Sequence, residues 1–506
     1  MQTQPRKVLL VQPPFYRLFH NSFSLNRYPL SLGYLAGAVR QSTDWQVAVY
    51  NADFKPGGKQ PGRMCYLTGR GFECYRKNLR GTSGPVWDEI QEKLARYRPD
   101  AVGFTATSQT FLAARRIAAL AKQMNPRITV LFGGPHASMA GAQLLECPEI
   151  DVAVRGEGEQ TLVELLRAIG SGNDPGEIPG TIFRRDGRIV ESPPRLQLQD
   201  LDSLCMPNEI AAEVLLDYER YPRTAFRNLL ATRGCPYGCL FCGSRQVWGR
   251  TVRFRSPASV VREIQGLQRM GQQRVHFEDD TFGTNREHIH RLCHAIRQGC
   301  PGIPWSCELH VNLVNRETIR EMKAAGCDSI AIGVESGSNE ILAQMRKGIT
   351  VERALEACRV IRELGVDLTT FFMVGLPQET EETLASTVQT MRATRADELV
   401  YSIFTPYPQS EAWDLCRRQG LVGDDFDASL YHHQSPANCF CAGIAPARFR
   451  VLARRVERLV DHYNARRKRL RKLRRFGRKW AGKLGLAGPP PAPAVPVEAP
   501  ARAATR

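Results

Sequence analysis

The stretch Arg233-Gly234-Cys235-Pro236-Tyr237-Gly238-Cys239-Leu240-Phe241-Cys242-Gly243 decides how this chain is read. Its cysteines follow the spacing Cys-x3-Cys-x2-Cys, which suits one compact loop. Such a loop offers three thiolates to three irons of a [4Fe-4S] cubane and leaves the fourth iron without a protein ligand. An open iron is a place for chemistry. Structural zinc competes poorly, because it usually takes four ligands in two pairs and no second Cys-x2-Cys or His pair lies nearby. A disulfide with one spare thiol would suit a secreted chain. Residues 1–7 are polar, however, and the apolar run behind them is too short for a signal peptide.

On either side of this loop the chain alternates strand and helix signals. In residues 1–165 short apolar runs at 8–11, 47–50, 101–104, 128–132 and 152–154 read as strands, and 30–39 and 111–124 carry helical spacing. Two of these strands run into Gly133-Gly134-Pro135-His136 and Gly156-Glu157-Gly158-Glu159. The alternation predicts a doubly wound, Rossmann-like parallel sheet, whose ligands lie beyond the carboxyl ends of its strands. Residues 55–83, rich in Gly, Arg and Lys and including Cys65 and Cys74, read as an insertion or long loop. A connector at 166–222 carries a hairpin signal through Asp186-Gly187. From about Asn228 six further strand signals (229–232, 274–277, 305–309, 329–333, 368–374 and 399–404) alternate with helices, which predicts a partial (β/α)6 barrel over 223–447. The cysteine loop follows its first strand, at the end where parallel barrels collect their chemistry.

The 506 residues leave room for two or three domains, and no apolar run approaches the ~20 residues of a membrane span. Fifteen cysteines without a disulfide-like framework fit a reducing compartment. Cys293, Cys327 and Cys358 read as small buried hydrophobes, while Cys439 and Cys441 form a Cys-x-Cys that could also take a metal. Of the net charge of +18, +14 falls in residues 448–483, where sixteen Lys or Arg face two acids. Apolar residues recur there every three or four positions, from Phe449 through Phe476 and Trp480, so 448–487 reads as a basic amphipathic helix or pair of helices. The Pro- and Ala-rich tail 488–506 reads as disordered.

Taken together, these motifs resemble the cobalamin-binding radical S-adenosylmethionine (SAM) family. The cysteine motif with Phe241 carries most of the resemblance. Glu278-Asp279-Asp280-Thr281-Phe282, the run from Gly326 to Ser338, Met345-Arg346-Lys347-Gly348, Gly375-Leu376-Pro377 and Thr405-Pro406-Tyr407-Pro408 complete it. The resemblance implies that Cys235, Cys239 and Cys242 bind the cluster and that its open iron holds SAM, whose cleavage gives a 5′-deoxyadenosyl radical. It assigns Phe241, Glu278, Asp279, Glu335 and Ser336 to SAM. To cobalamin it assigns Thr105, Ser108, Gly133, Gly134, His136, Gly156 and Glu157. Asp279 and Asp280 have a competing reading as helix caps near Thr281. No Asp-x-His-x-x-Gly occurs, so His136 is expected to touch the cofactor's tail and not to ligate cobalt. Gln378 and Gln409-Ser410 depart from the family's common Gly and Gly-Thr.

The expected reaction is methylation of an unactivated carbon of a small-molecule substrate by way of methylcobalamin, fed by an external donor such as flavodoxin or ferredoxin. Radical rearrangement or oxidative cyclisation without methyl transfer is the enzymatic alternative. An iron–sulfur protein that binds nucleic acid or regulates is the alternative of another class. Methylthio transfer to RNA would call for N-terminal cysteines and an RNA-binding module that are not seen. The basic segment lacks a recognisable nucleic-acid fold and carries an apolar stripe, so a solvated helix packed on the barrel or contact with an anionic membrane surface is expected ahead of nucleic acid. Membrane contact would favour a lipid-like substrate and a cytoplasmic enzyme at the inner membrane face.

Overall fold

The computed structural model describes residues 5–61, 69–81, 83–173, 178–431, 433, 435 and 438–483, with side chains along the last helix described as far as Arg471. Cys65, the side chains of Phe476 and Trp480, and the tail from residue 488 lie outside the described residues.

Strands β1 (Lys7–Gln12), β2 (Gln46–Asn51), β3 (Ala101–Thr105), β4 (Thr129–Gly133) and β5 (Val152–Val154) form a parallel sheet in the order β2-β1-β3-β4-β5. Sequence explains why both faces are covered. Leu9 and Val11 point into one apolar core with the helices Pro85–Tyr97 and Phe111–Met124, while Val8 and Leu10 point into another with Leu30–Ser42 and Glu159–Ser171. A strand buried on both sides needs this unbroken apolar run. The connector contributes more than a tether. β6 (Thr181–Arg185) continues the sheet antiparallel to β5 and β7 (Arg188–Glu191) pairs antiparallel with β6, and their turn places Asp186 and Gly187 at φ 50° and 75°, the positive values that a tight hairpin requires. Residues 55–83, expected as a loop or insertion, contain the helix Arg70–Arg80. Phe72, Tyr75 and Leu79 share its packed face at helical spacing, a signal short enough to be lost among the surrounding Gly, Arg and Lys.

The second unit begins at β8 (Asn228–Leu229) and leaves the sheet at once into β9 (Thr232–Arg233), which pairs antiparallel with β10 (Arg253–Phe254). β11 (Val275–Phe277), β12 (Trp305–Leu309), β13 (Cys327–Glu335), β14 (Asp367–Val374) and β15 (Glu398–Ile403) follow, and the six-stranded parallel sheet runs β8-β11-β12-β13-β14-β15. The α/β architecture is therefore the expected one, a doubly wound domain followed by a partial barrel. Side-chain caps punctuate the barrel helices: Ser256, Asn285, Asn315, Thr350 and Thr380 each accept a backbone N–H from the first turn that follows. Cys293, Cys327 and Cys358 are buried in the barrel core, as small hydrophobes would be.

The basic segment forms a single helix, Pro446–Lys483. Its apolar stripe of Phe449, Leu452, Val456 and Val460 belongs to the barrel core. Asn464 then completes the edge strand, as its side chain accepts the Leu399 N–H (2.9 Å) and donates to the Leu399 carbonyl (2.8 Å). An exposed edge is a liability, and here a side-chain amide stands in for the missing neighbour. No described helix is long and apolar enough to cross a membrane. Replacing Asn464 with Ala strands two backbone groups at a residue that is 1% exposed, and each group left unpaired costs about 1–3 kcal/mol. Urea unfolding of Asn464→Ala should show that loss, and an unchanged midpoint would refute the role.

Candidate functional site

The cysteine loop is held from both ends and from its middle. Gly234 has φ 107°, and a Cβ there would stand 2.2 Å from the Thr251 carbonyl oxygen, so only glycine allows β9 and β10 to close the loop this tightly. In the middle, the Leu240 N–H donates to the Met345 carbonyl (2.9 Å) and the Leu240 carbonyl accepts the Ala412 N–H (3.2 Å). Tyr237 stacks on His310 with ring centroids 3.6 Å apart. Leu240 and Phe241 pack against an apolar group that includes Ile341, Met345, Leu376 and Phe404.

Cys235, Cys239 and Cys242 are free thiols at least partly accessible to solvent. Burial pushes the half-buried Cys239 thiol up, so that sulfur keeps its proton until a metal displaces it. The Cys235 sulfur lies 3.1 Å from the Thr281 hydroxyl, and the Ser244 N–H points at the Cys242 sulfur. Among the described residues no group of three or more His, Cys, Asp or Glu gathers closely enough for a single ion. A cubane makes no such demand, because each thiolate binds a different iron. The donor set and the accessible loop therefore fit a cluster with one open iron.

The loop faces a cavity of about 740 Å³ between the two units. From the first unit come Thr105, Ser108, Gly133, Gly134, Gly156 and Glu157; from the barrel mouth come Arg233, Cys242, Ser244, Glu278 and Asp280. Leu10, Leu35, Leu131, Met139 and Trp248 make much of the remaining wall apolar. Gly134 sits at φ 89°, and a Cβ there would meet the Thr105 hydroxyl at 2.7 Å. The carboxyl edge of the first sheet thus has the glycine-lined approach and hydroxyls that a large planar cofactor needs. A second cavity, about 310 Å³, is walled by Phe241, Phe371, Phe372 and Phe404 among others. Tyr407 and His433 line both spaces, with the tyrosine hydroxyl 2.9 Å from Nε2, and burial pushes His433 down to about 4, which leaves the imidazole neutral.

Several residues expected to touch cofactors are engaged elsewhere. His136 stands behind the cavity wall with its Nδ1 3.0 Å from the Ser108 hydroxyl and Phe111 against its ring; it positions Ser108. Burial pushes it down to about 4. The Glu157 carboxylate lies on the wall, yet it binds Arg233 (2.9 Å), Arg253 (2.7 Å) and the Leu198 N–H (2.8 Å). Burial would raise its pKa, but the two guanidiniums hold it below the usual range. Glu159 meets the other arm of Arg233 at 2.7 Å. Glu335 pairs with Lys347 at 2.7 Å, and Ser336 is buried with its hydroxyl near Thr387 (3.2 Å) and the Ser338 N–H (3.2 Å). Glu278 remains on the cavity wall, bonded to Asn228 (2.8 Å) and ion-paired with Arg27 of the first unit.

Just beyond the end of β11, Asp279 and Asp280 divide between two directions. Asp280 reaches the cavity, whereas Asp279 points away and accepts the Ala231 N–H (2.8 Å) and the Thr232 hydroxyl (2.7 Å). It ties the start of the cysteine loop to β11. It caps no helix, since Asn285 starts the next one. Neither SAM contact nor cap describes Asp279, and Asp280, absent from the expected contacts, takes the facing position. Burial pushes Asp279 up to about 7 against the pull of its two donors. A carboxyl raised on folding favours the native state at low pH and loses that contribution as pH rises toward the folded value. Thermal melts of the metal-free protein should decline between about pH 4 and 7 in the wild type and flatten in Asp279→Asn. An identical pH slope in both would contradict this assignment.

The model of the radical SAM superfamily matches residues 229–391, and that of the B12 binding domain matches residues 20–166. The chain is 30% identical over 420 residues to an uncharacterized methyltransferase of Pyrococcus horikoshii, covering 82% of this chain and 84% of that one. It is also 30% identical over 365 residues to an anaerobic magnesium-protoporphyrin IX monomethyl ester cyclase of Rubrivivax gelatinosus, covering 69% and 63%. Among solved structures, the radical SAM methyltransferase TsrM of Kitasatospora setae, with cobalamin and a [4Fe-4S] cluster bound, shares the fold at a TM-score of 0.61 and 22% identity, over 83% of this chain and 76% of that one. With its cysteine loop facing the glycine-lined edge of a doubly wound sheet, the chain belongs to the cobalamin-binding radical SAM enzymes, whose cofactors are a [4Fe-4S] cluster, SAM and cobalamin.

Proposed function

We propose that this enzyme transfers a methyl group to an unactivated carbon of a small apolar molecule. One observation carries the reading: the glycine-lined edge of the first sheet and the cysteine loop open onto a single, largely apolar cavity. When bound, the cluster and SAM supply a carbon-centred radical, and cobalamin supplies the methyl group. The chain's part is to hold and to exclude. Cys235, Cys239 and Cys242 would ligate the cluster. Glu278 and Asp280, carboxylates on the wall, would accept the ammonium of SAM, and the aromatic cavity beside Phe241 suits its purine. Thr105, Ser108 and the glycines of β4 and β5 would receive cobalamin. Leu35, Leu131, Met139 and Trp248 keep water from a reactive radical.

Cyclisation without methyl transfer is the second reading, favoured by the likeness to the Rubrivivax cyclase. SAM labelled in its methyl group separates the two, using protein reconstituted anaerobically with iron, sulfide and cobalamin and supplied with an external electron donor such as flavodoxin. Label in the product together with 5′-deoxyadenosine supports methylation. Deoxyadenosine with an unlabelled, altered product overturns it in favour of cyclisation. Cys239→Ala should lose the cluster and all deoxyadenosine formation.

Peripheral contact with an anionic membrane is supported by the helix Pro446–Lys483. Its apolar stripe is used on the barrel, while Arg454, Arg455, Arg458, Arg466, Lys468 and Arg469 are exposed. Each cation near an anionic surface contributes about 1 kcal/mol. Replacing these six cations with Glu leaves the packed stripe intact and should abolish sedimentation with phosphatidylglycerol vesicles; undiminished binding would reject the contact.

A further inference from the structure

The turn Met345-Arg346-Lys347-Gly348 is not used by any step described so far, yet it grips the cysteine loop. Met345 accepts the Leu240 N–H, and the Lys347 carbonyl lies 3.2 Å from Nε2 of His310, the ring on which Tyr237 stacks. The Lys347 side chain is itself buried, with 9% of its surface exposed, and its ammonium rests on Glu335 at 2.7 Å. The Leu240 amide that Met345 holds follows directly on Cys239, so this charge is carried by a turn packed against the cysteine loop. The carboxylate that holds it comes from a strained residue. Glu335 sits at φ 66°, where a non-glycine residue rarely lies, beside an irregularity in the pairing of β13 with β14. A Cβ at Gly333 would stand 2.3 Å from the Glu335 carboxylate and 2.8 Å from the Lys347 ammonium, so the pair fills a space left by a missing side chain. Strain, burial and a glycine cradle together fix one positive charge in the turn that grips the cysteine loop.

We propose that Lys347 is a positioning residue whose fixed ammonium sets the reduction potential of the cluster, and that Glu335 holds it in place and moderates it. The inference rests on the assignment of Cys235, Cys239 and Cys242 as cluster ligands. Three thiolates leave an oxidised [4Fe-4S]2+ core with a net charge of −1, and one added electron makes it −2. A cation beside the sulfurs therefore stabilises the reduced form more than the oxidised one, and net charge around a cluster is among the determinants of its potential. Because the Lys347 ammonium is itself buried, its charge is less screened than that of a surface lysine. The same argument gives Glu335 the opposite sign.

The test uses full-length protein reconstituted anaerobically with iron and sulfide and without SAM, so that SAM binding cannot contribute. Midpoint potentials are read from the EPR signal of the reduced cluster in a dye-mediated titration, with iron content measured for each variant. Lys347→Met should move the midpoint to more negative values, Lys347→Arg should leave it near the wild type, and Glu335→Gln should move it to more positive values. Equal midpoints in wild type and Lys347→Met at equal iron content would overturn the proposal. If Lys347→Met takes up no iron, Glu335→Gln decides: a positive shift supports the proposal and an unchanged midpoint overturns it. Failure of the wild type to form any cluster would refute the ligand assignment instead, an outcome distinct from an unshifted potential.

Discussion

The buried bridge from Arg233 to Glu157 and Glu159 is the constraint on which this architecture depends. Arg233 stands two residues before Cys235, while Glu157 stands on the turn after the last parallel strand of the first sheet and Glu159 opens the helix that follows. Tyr34 and Trp248 cover the guanidinium, and Arg253 takes the second oxygen of Glu157. Removing one partner from such a network leaves an uncompensated buried charge, which costs far more than a surface ion pair contributes. The network therefore registers the two units against each other where their functional edges meet, and a radical enzyme with two large cofactors depends on that register.

Closure of the barrel shows the same economy. Six strands leave two edges, and each edge receives a different treatment. At β8 the chain departs after two residues and spends its next strand pairing with β10, which frees the cysteine loop to rise over the mouth. At β15 the long helix lays its apolar stripe against the core and lets Asn464 complete the hydrogen bonding. The charge on that helix and its packing are thus separate properties of one segment, carried on different faces.

Much of this was legible in the sequence because the signals are local. The cysteine spacing marks a ligand loop without reference to the rest of the fold, and the apolar runs of β1, β3 and β4 can be read from a few residues each. What stayed hidden depends on partners distant in the chain. Glu157 reads as a ligand-edge carboxylate until Arg233 and Arg253, more than seventy residues away, are seen to bind it. His136 likewise reads as a contact residue until Ser108 is found in front of it. The helix Arg70–Arg80 escaped because its few apolar positions are scattered among basic residues, and Tyr75 finds its partner at the Ser429 carbonyl near the other end of the chain. The exchange of Asp279 for Asp280 is of the same kind. Both residues lie past the end of β11, and Asp279 is turned away by the Ala231 N–H and the Thr232 hydroxyl, partners that the local sequence does not reveal.

The way the cysteine loop is fastened also bears on damage. Small zinc domains unfold when the metal leaves, because metal ligation is what holds them together. Here the loop is gripped by the Gly234 closure against Thr251, by the backbone of Met345 and Ala412, and by the stacking of Tyr237 on His310, none of which involves iron. Loss of the cluster to oxygen would remove a ligand and leave the fold standing, with three thiols still presented in place. Repair would then require only iron, sulfide and a reductant, not refolding.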